Sequence, residues 1–316
     1  MSRVPQAHYY VPGRERPQRS LASRFKFPVL TVLVLAGAGY CGYVYRQQIP
    51  GAPLASATAD TSVVAQRSVS PTVSPVKTDV QKVEPATVVA PDLSAVITRT
   101  GLSQNRASTW SVAVYDITNK RWIAQVNPDQ QIFSASLYKL YVVYGLSKSM
   151  PFNQWSTKQV GGHSVKDCVD LMLRISDNNC GIAVGGLVGW NKVDKEANKY
   201  GFTRTDMAKP GGSVTTATDT TNFMSDLYQG KLFDADTTTF ILNSLKDQTY
   251  RSGVPAGCPT CTVYNKTGNE NGVAHDSAIV QDGKYTYAVT VMSEGGSPSK
   301  IANIERSLET ALKAVH

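Results

Sequence analysis

Histidine is scarce in this chain: only His8, His163, His275 and His316 occur in 316 residues. A Ser-His-Asp hydrolase needs an imidazole base beside a serine on a sharp turn, and no nucleophile-elbow pattern is present for any of the four to serve. Cysteine is nearly as sparse, with Cys41, Cys168, Cys180, Cys258 and Cys261. The one C-x-x-C, with a single histidine nearby, falls short of the four ligands of a structural zinc site. No metal and no cofactor is therefore implied. The formal charge of +8 is also absent from where a nucleic-acid face would need it. Residues 1–26 hold Arg3, Arg14, Arg16, Arg19, Arg24 and Lys26 against Glu15, and everything after residue 91 is close to neutral. That distribution excludes a basic binding face.

Directly after the basic tail comes FPVLTVLVLAGAGYCGYVY, residues 27–45, with no formal charge. At 1.5 Å per residue it is just long enough to cross a hydrocarbon core. Tyr40, Tyr43 and Tyr45 sit at its far end, as at a membrane interface, and the positive charge precedes it. This predicts a single-pass cell-membrane protein with a cytoplasmic N-terminus and an extracytoplasmic remainder. A cleaved signal peptide is the competing reading, because Ala36-Gly37-Ala38 has the small-residue cleavage pattern; the long leading segment and the apolar run beyond that site favour the anchor. Residues 46–91 contain a single aromatic-free run of Ser, Thr, Pro, Ala and Val from 47 onward. Such a stretch buries too little surface to offset its ordering entropy and reads as a disordered linker. Residues 92–316 remain for one domain, and its four cysteines suit an oxidising compartment. Cys168–Cys180 and Cys258–Cys261 are the simplest pairing.

Within the domain, STWSVAVYDI and RWIAQVN alternate as half-buried strands. A helix is predicted from about Ser136 to Lys148, and two short helices flank SDNNC. TATDTTNFMSDLYQG and ADTTTFILNSLKDQ read as capped helices. TVYNK, DSAIVQ and KYTYAVTVM read as strands, the last two joined at Asp282-Gly283, and SKIANIERSLETALKAVH closes the chain as an amphipathic helix. Strands at both ends with helices between them predict an α+β fold in which the N- and C-terminal strands lie together.

The segment FSASLYKL places Ser136 three residues before Lys139. Ser-x-x-Lys alone is weak: it also occurs at Ser23/Lys26, Ser74/Lys77 and Ser297/Lys300. Only the pair at 136/139 opens a predicted helix and is followed in order by Ser176-Asp177-Asn178 and Lys266-Thr267-Gly268. That ordered set is the signature of class A β-lactamases and penicillin-binding proteins. With YRSGVPAG and KTGNENGVAHDSAIV, the domain resembles serine β-lactamases of class A over roughly residues 95–314. The resemblance implies a β-lactamase/transpeptidase-like α/β sandwich, with a mixed antiparallel sheet and an all-helical subdomain.

The chemistry accounts for the residue types. A serine hydroxyl needs an adjacent base, and residues three apart on a helix share a face. Lysine becomes a base at neutral pH only if burial and nearby positive charge lower its pKa. The resemblance implies that Ser136 is acylated, Lys139 is its base and Ser176 relays a proton to the leaving nitrogen. It further implies that Lys266 and Thr267, with Gly268, hold the substrate carboxylate, that Asn178 contacts the substrate amide, and that the Asn269 N–H joins the Ser136 N–H as oxyanion donor. The expected partners are a β-lactam or a peptidoglycan peptide, and the membrane through the N-terminal helix. His275, beside Asp276, is expected at the surface end of a strand.

One family element is missing. Between Asn178 and Lys266 the only glutamate is Glu196, in a predicted helix, and aligning FTRTDMAKPGG with the family's loop puts Lys209 where the deacylating glutamate belongs. Asp206 is the nearest acid and the candidate substitute base. Three functions stay open: a hydrolase that opens the β-lactam ring, a D-Ala-D-Ala carboxypeptidase or endopeptidase, and a non-catalytic envelope binding protein.

Overall fold

A computed structural model describes residues 92–314, apart from 104, 105, 108, 271 and 284. The expected tail, membrane anchor and linker lie outside the described residues. Among those described, no helix is long and apolar enough to cross a membrane.

Five strands form the main sheet: β1 (Thr109–Asp116), β2 (Arg121–Val126), β7 (Thr262–Glu270), β8 (Val273–Asp282) and β9 (Tyr285–Glu294). Their order is β2-β1-β9-β8-β7, and every pairing is antiparallel. β1 and β9 lie side by side, so the first and last strands meet as the sequence implies. β8 and β9 are buried along nearly their whole length, because both faces of the sheet are covered. On one face packs the C-terminal helix, Pro298–Lys313, through Ile301, Ile304, Leu308 and Leu312. The other face carries the helical subdomain.

That subdomain is built around α1 (Tyr138–Ser147), entered through a 3₁₀ turn at Ala135–Leu137. Apart from Tyr138 and Ser147, every residue of α1 is buried, Lys139 included, as expected of a helix that is apolar all round. Around it lie α2 (Val165–Arg174), α3 (Asn178–Val188), α4 (Trp190–Tyr200), α5 (Ala217–Tyr228) and α6 (Ala235–Lys246); the C-terminal helix is α7. Their starts follow side-chain chemistry: Thr216 Oγ1 accepts the Asp219 N–H at 3.1 Å and Asp234 Oδ1 accepts the Thr237 N–H at 2.9 Å, each satisfying a free helix donor. Disulfides join Cys168 to Cys180 and Cys258 to Cys261. The first ties α2 to α3 across the turn that carries Ser176.

Short pairings that the sequence does not advertise complete the frame. β3 (Ile132–Phe133) pairs with β6 (Val214–Thr215), so the segment before Ser136 is zipped to the loop that follows α4. β4 (Gln159–Val160) and β5 (His163–Ser164) form a separate hairpin.

Candidate active site

Three elements converge on one amine. Lys139 is the second residue of α1, and its Nζ donates to Ser176 O at 2.7 Å and Asn178 Oδ1 at 2.6 Å. It also lies 3.0 Å from Ser136 Oγ and 3.2 Å from Ser176 Oγ. Across the cleft, Lys266 on β7 donates to Ser176 Oγ at 2.8 Å and to Thr267 O at 2.9 Å. Ser176 thus stands between two lysines, both fully buried. The first, second and third motifs meet at the side chains expected from their order. The rival Ser297/Lys300 pair is a helix cap, with Ser297 Oγ accepting the Lys300 N–H.

Burial pushes the Lys139 pKa down to about 7, against the opposing pull of Asp177 and Glu270. The same desolvation, reinforced by Lys139, holds Lys266 well below the usual lysine range, with Asp276 acting the other way. A neutral amine has two N–H bonds and one lone pair. Ser176 O and Asn178 Oδ1 can only accept, so they take both N–H bonds. The lone pair is left for a serine hydroxyl, and Ser136 Oγ at 3.0 Å is nearer than Ser176 Oγ at 3.2 Å.

The backbone at both serines is unusual. Ala135 has φ of +44° and Ser176 φ of +58°, left-handed conformations for residues with side chains, which are costly unless the surroundings impose them. At the first, Ser134 N–H donates to Ser213 O at 2.8 Å and the two hydroxyls touch at 2.6 Å. At the second, Asp177 Oδ1 accepts the Cys180 N–H at 2.8 Å and caps α3. Ser-Asp-Asn is therefore both a helix cap, through Asp177, and a site element, through Ser176 and Asn178.

Thr267 and Gly268 lie buried on β7, while Asn269 is exposed at the mouth. β7 is an edge strand and packs against the 3₁₀ turn that holds Ser136. Behind it, Asp276 accepts from Asn265 Nδ2 at 2.9 Å and from the Val254 N–H at 2.8 Å, and Arg251 Nη1 donates to Asn265 Oδ1 at 3.0 Å. Burial raises the Asp276 carboxyl to about 7. This supporting network was not legible as a network, although Arg251 and Asp276 stand in the segments that carry the family resemblance. Gly181 is part of the same support: a Cβ there would lie 2.5 Å from Tyr138 Oη and 2.7 Å from Lys139 Cε. Its only sequence signal is a glycine one turn into the helix after Ser-Asp-Asn.

Two expectations fare differently. His275 is fully buried, not at the surface, because its strand is covered on both faces and its two ring nitrogens find backbone partners. Asp206 turns its carboxylate to its own loop, where Oδ1 accepts the Ala208 N–H at 3.0 Å, and its backbone pairs with Val214. Among the described residues, no carboxylate hydrogen-bonds to Ser136 or Lys139. Lys209 is exposed. For a metal, Cys258, Cys261 and Glu309 lie close together, but the two cysteines are joined to each other.

The model of the β-lactamase enzyme family matches residues 152–312, slightly more than half of the 316-residue chain. The chain belongs to the β-lactamase enzyme family. Among solved structures it is similar to PBP-A at 17% identity, covering 71% of this chain and 98% of that one with a TM-score of 0.62. It is similar to the TLA-1 extended-spectrum β-lactamase at 19% identity, covering 70% and 98% with a TM-score of 0.62. A β-lactamase from Sphaerobacter thermophilus matches at 17% identity over 71% of this chain and 97% of that one, with a TM-score of 0.61. A mutant of PBP-A held as an acyl-enzyme complex with penicillin G is also among the matches. No curated relative matches the sequence. The fold is thus that of the β-lactamase/penicillin-binding-protein serine hydrolases.

Proposed function

We propose that this protein is a membrane-anchored, extracytoplasmic serine hydrolase that is acylated at Ser136 by β-lactams and hydrolyses the opened ring slowly. The observation that carries the reading is the geometry at Lys139: its Nζ lies 2.6 and 2.7 Å from two pure acceptors, and of the two serine hydroxyls left for a lone pair Ser136 Oγ, at 3.0 Å, is nearer than Ser176 Oγ, at 3.2 Å. In the acylation step, Ser136 Oγ bonds to the lactam carbonyl carbon and its proton passes to Lys139 Nζ. The oxyanion rests on the Ser136 and Asn269 N–H groups. Ser176 Oγ, in contact with both lysines, hands a proton to the ring nitrogen as the C–N bond breaks, and is reprotonated from Lys139. Lys266 and Thr267 hold the substrate carboxylate, and Asn178 contacts its amide. Anchoring rests on the uncharged stretch 27–45 behind a basic tail, and the two disulfides fit an oxidising compartment.

Slow hydrolysis follows from the acid that is missing. With Asp206 engaged by its own loop and Lys209 exposed, no carboxylate among the described residues hydrogen-bonds to the nucleophile to activate a water. The same observation favours a second reading, a peptidoglycan D-Ala-D-Ala carboxypeptidase or endopeptidase for which penicillin is a long-lived inhibitor. The PBP-A acyl-enzyme with penicillin G is a precedent on this fold. A non-catalytic binding protein would gain nothing from two buried amines, each costly to desolvate. Incubating the full chain with labelled penicillin, and following intact mass and ring opening together, tests all three. A rapid adduct at Ser136 followed by slow turnover is expected. An adduct that never turns over moves the assignment to the peptidase, and absence of any adduct overturns both enzymatic readings.

A further inference from the structure

His275 stands directly opposite Gly268 in the β7–β8 register. Its ring is fully buried and reaches past its own strand. Nε2 lies 2.8 Å from Phe133 O, and Nδ1 accepts the Ser293 N–H at 3.1 Å. A backbone N–H can only donate, so Nδ1 is unprotonated and the single ring proton sits on Nε2, donating to Phe133 O. Burial agrees with this neutral form, holding the ring down to about 4 against the opposing pull of the Phe133 and Ala274 backbone and of Glu294.

The route of that ring depends on Gly268. A Cβ at 268 would come within 3.2 Å of His275 Cδ2, 3.0 Å of Ser134 O and 3.3 Å of Ala135 Cβ. The missing side chain lets the nucleophile turn settle on β7 while the imidazole crosses beneath to Phe133. Phe133 ends β3, whose other side is held by Val214. Two residues later the backbone takes its left-handed step at Ala135 and presents the Ser136 N–H. One residue after Gly268, β7 presents the Asn269 N–H.

We propose that His275 is a positioning residue for acyl transfer: by tying Phe133 O to β8 across Gly268, it sets the separation between the Ser136 and Asn269 N–H groups. The assignment rests on acylation at Ser136. Two donors must both lie 2.7–3.1 Å from one developing oxyanion, so the hole tolerates little slack. Nothing else among the described hydrogen bonds joins the β3 end to β8.

The test uses the full chain with His275→Met, which keeps the volume without the N–H donor, and His275→Gln, which keeps a donor of similar reach. For His275→Met, the acylation rate constant with labelled penicillin should fall roughly 10- to 100-fold. The dissociation constant of the non-covalent complex should stay within about twofold, since the groups that bind the substrate carboxylate are untouched. The infrared ester carbonyl band of the acyl-enzyme should move to higher frequency as polarisation weakens, and His275→Gln should recover much of both losses. A folded His275→Met variant that acylates at the wild-type rate with an unshifted band overturns the positioning role alone. Wild-type protein that takes no label overturns acylation at Ser136, and this role with it. A measurement independent of variant folding is ¹⁵N NMR of the wild-type imidazole: an Nδ1–H tautomer, or a ring charged at pH 7, overturns the proposal.

Discussion

At the scale of single residues, the site is a problem in placing one amine. Lys139 needs a lone pair at neutral pH, so it must be buried, and it must touch two acceptors that take up its N–H bonds. Gly181 makes the second condition possible by letting α3 approach until Asn178 Oδ1 is 2.6 Å from Nζ. A methyl group at 181 would sit 2.7 Å from Lys139 Cε and 2.5 Å from Tyr138 Oη, closer than non-bonded atoms tolerate. Gly181→Ala must therefore push α3 outward or displace the lysine. The acylation rate should fall on the order of 100-fold, the effect of displacing a catalytic group by about 1 Å, while overpacking lowers stability by about 1–3 kcal/mol. Stopped-flow acylation against pH reads the site directly. In the wild type Lys139 works as the neutral amine and titrates at about 7, so the rate should climb as pH rises through 7 and then level off. A Gly181→Ala variant with the wild-type rate and the same limb would show that the contact between α1 and α3 is immaterial.

At the scale of elements, most of the frame was legible from periodicity and caps, because the forces that set it are local. β1 and β2 fall within one or two residues of their expected bounds, and Thr216, Asp234 and Ser297 start helices through their own side chains. What stayed hidden depends on distant partners. The β3–β6 pairing is two residues long on each side and has no pattern of its own. The burial of His275 is decided by what covers β8, and the left-handed step at Ser176 by the junction it occupies. The site motifs were legible because three short signatures occur in order, whereas the residues that hold them in place were not. The Cys168–Cys180 bridge is the exception among these supports, because it is the simplest pairing of the domain's four cysteines and the structure has it. It closes a separation of 12 residues around Ser176-Asp177-Asn178, and a loop of that size is worth about 3 kcal/mol through the unfolded chain. Replacing both cysteines by alanine should lower the urea-unfolding free energy by about 2–4 kcal/mol and slow acylation in the fraction that remains folded. The same change at Cys258 and Cys261, only 3 residues apart, should cost less, because the closed loop is shorter. Equal losses from the two pairs would show that loop closure around the site is not the operative effect.

At the scale of the whole molecule, the sheet separates two sets of buried ionisable groups that answer to pH in opposite directions. On the active-site face are Lys139 and Lys266. On the other, Tyr287 Oη hydrogen-bonds to Glu305 Oε1 at 2.6 Å and also to Glu309 Oε1. A phenol carries one proton and can donate to only one carboxyl, so the other must supply a proton of its own. Burial raises Glu305 to about 8, with Glu309 and Asp276 adding to the rise while the Tyr287 hydrogen bond opposes it. Lys313, 3.5 Å from Glu309 Oε2, offsets part of the negative charge there. Between the ordinary carboxyl pKa near 4 and about 8, the native state holds a proton at Glu305 that the unfolded chain has released, so stability falls as pH rises across that window. Asp276, raised to about 7, has the same sign. Lys139, lowered to about 7, has the opposite one: from about 7 to the free-lysine value near 10 the native state holds fewer protons than the unfolded chain, and stability rises. The two trends predict a stability minimum slightly above neutrality. Glu305→Gln keeps the shape and removes the titration, so the fall in urea midpoint between pH 5 and pH 7.5 should become shallower than in the wild type, with the gain above pH 8 retained. An unchanged slope would mean that Glu305 is ionised in the native state.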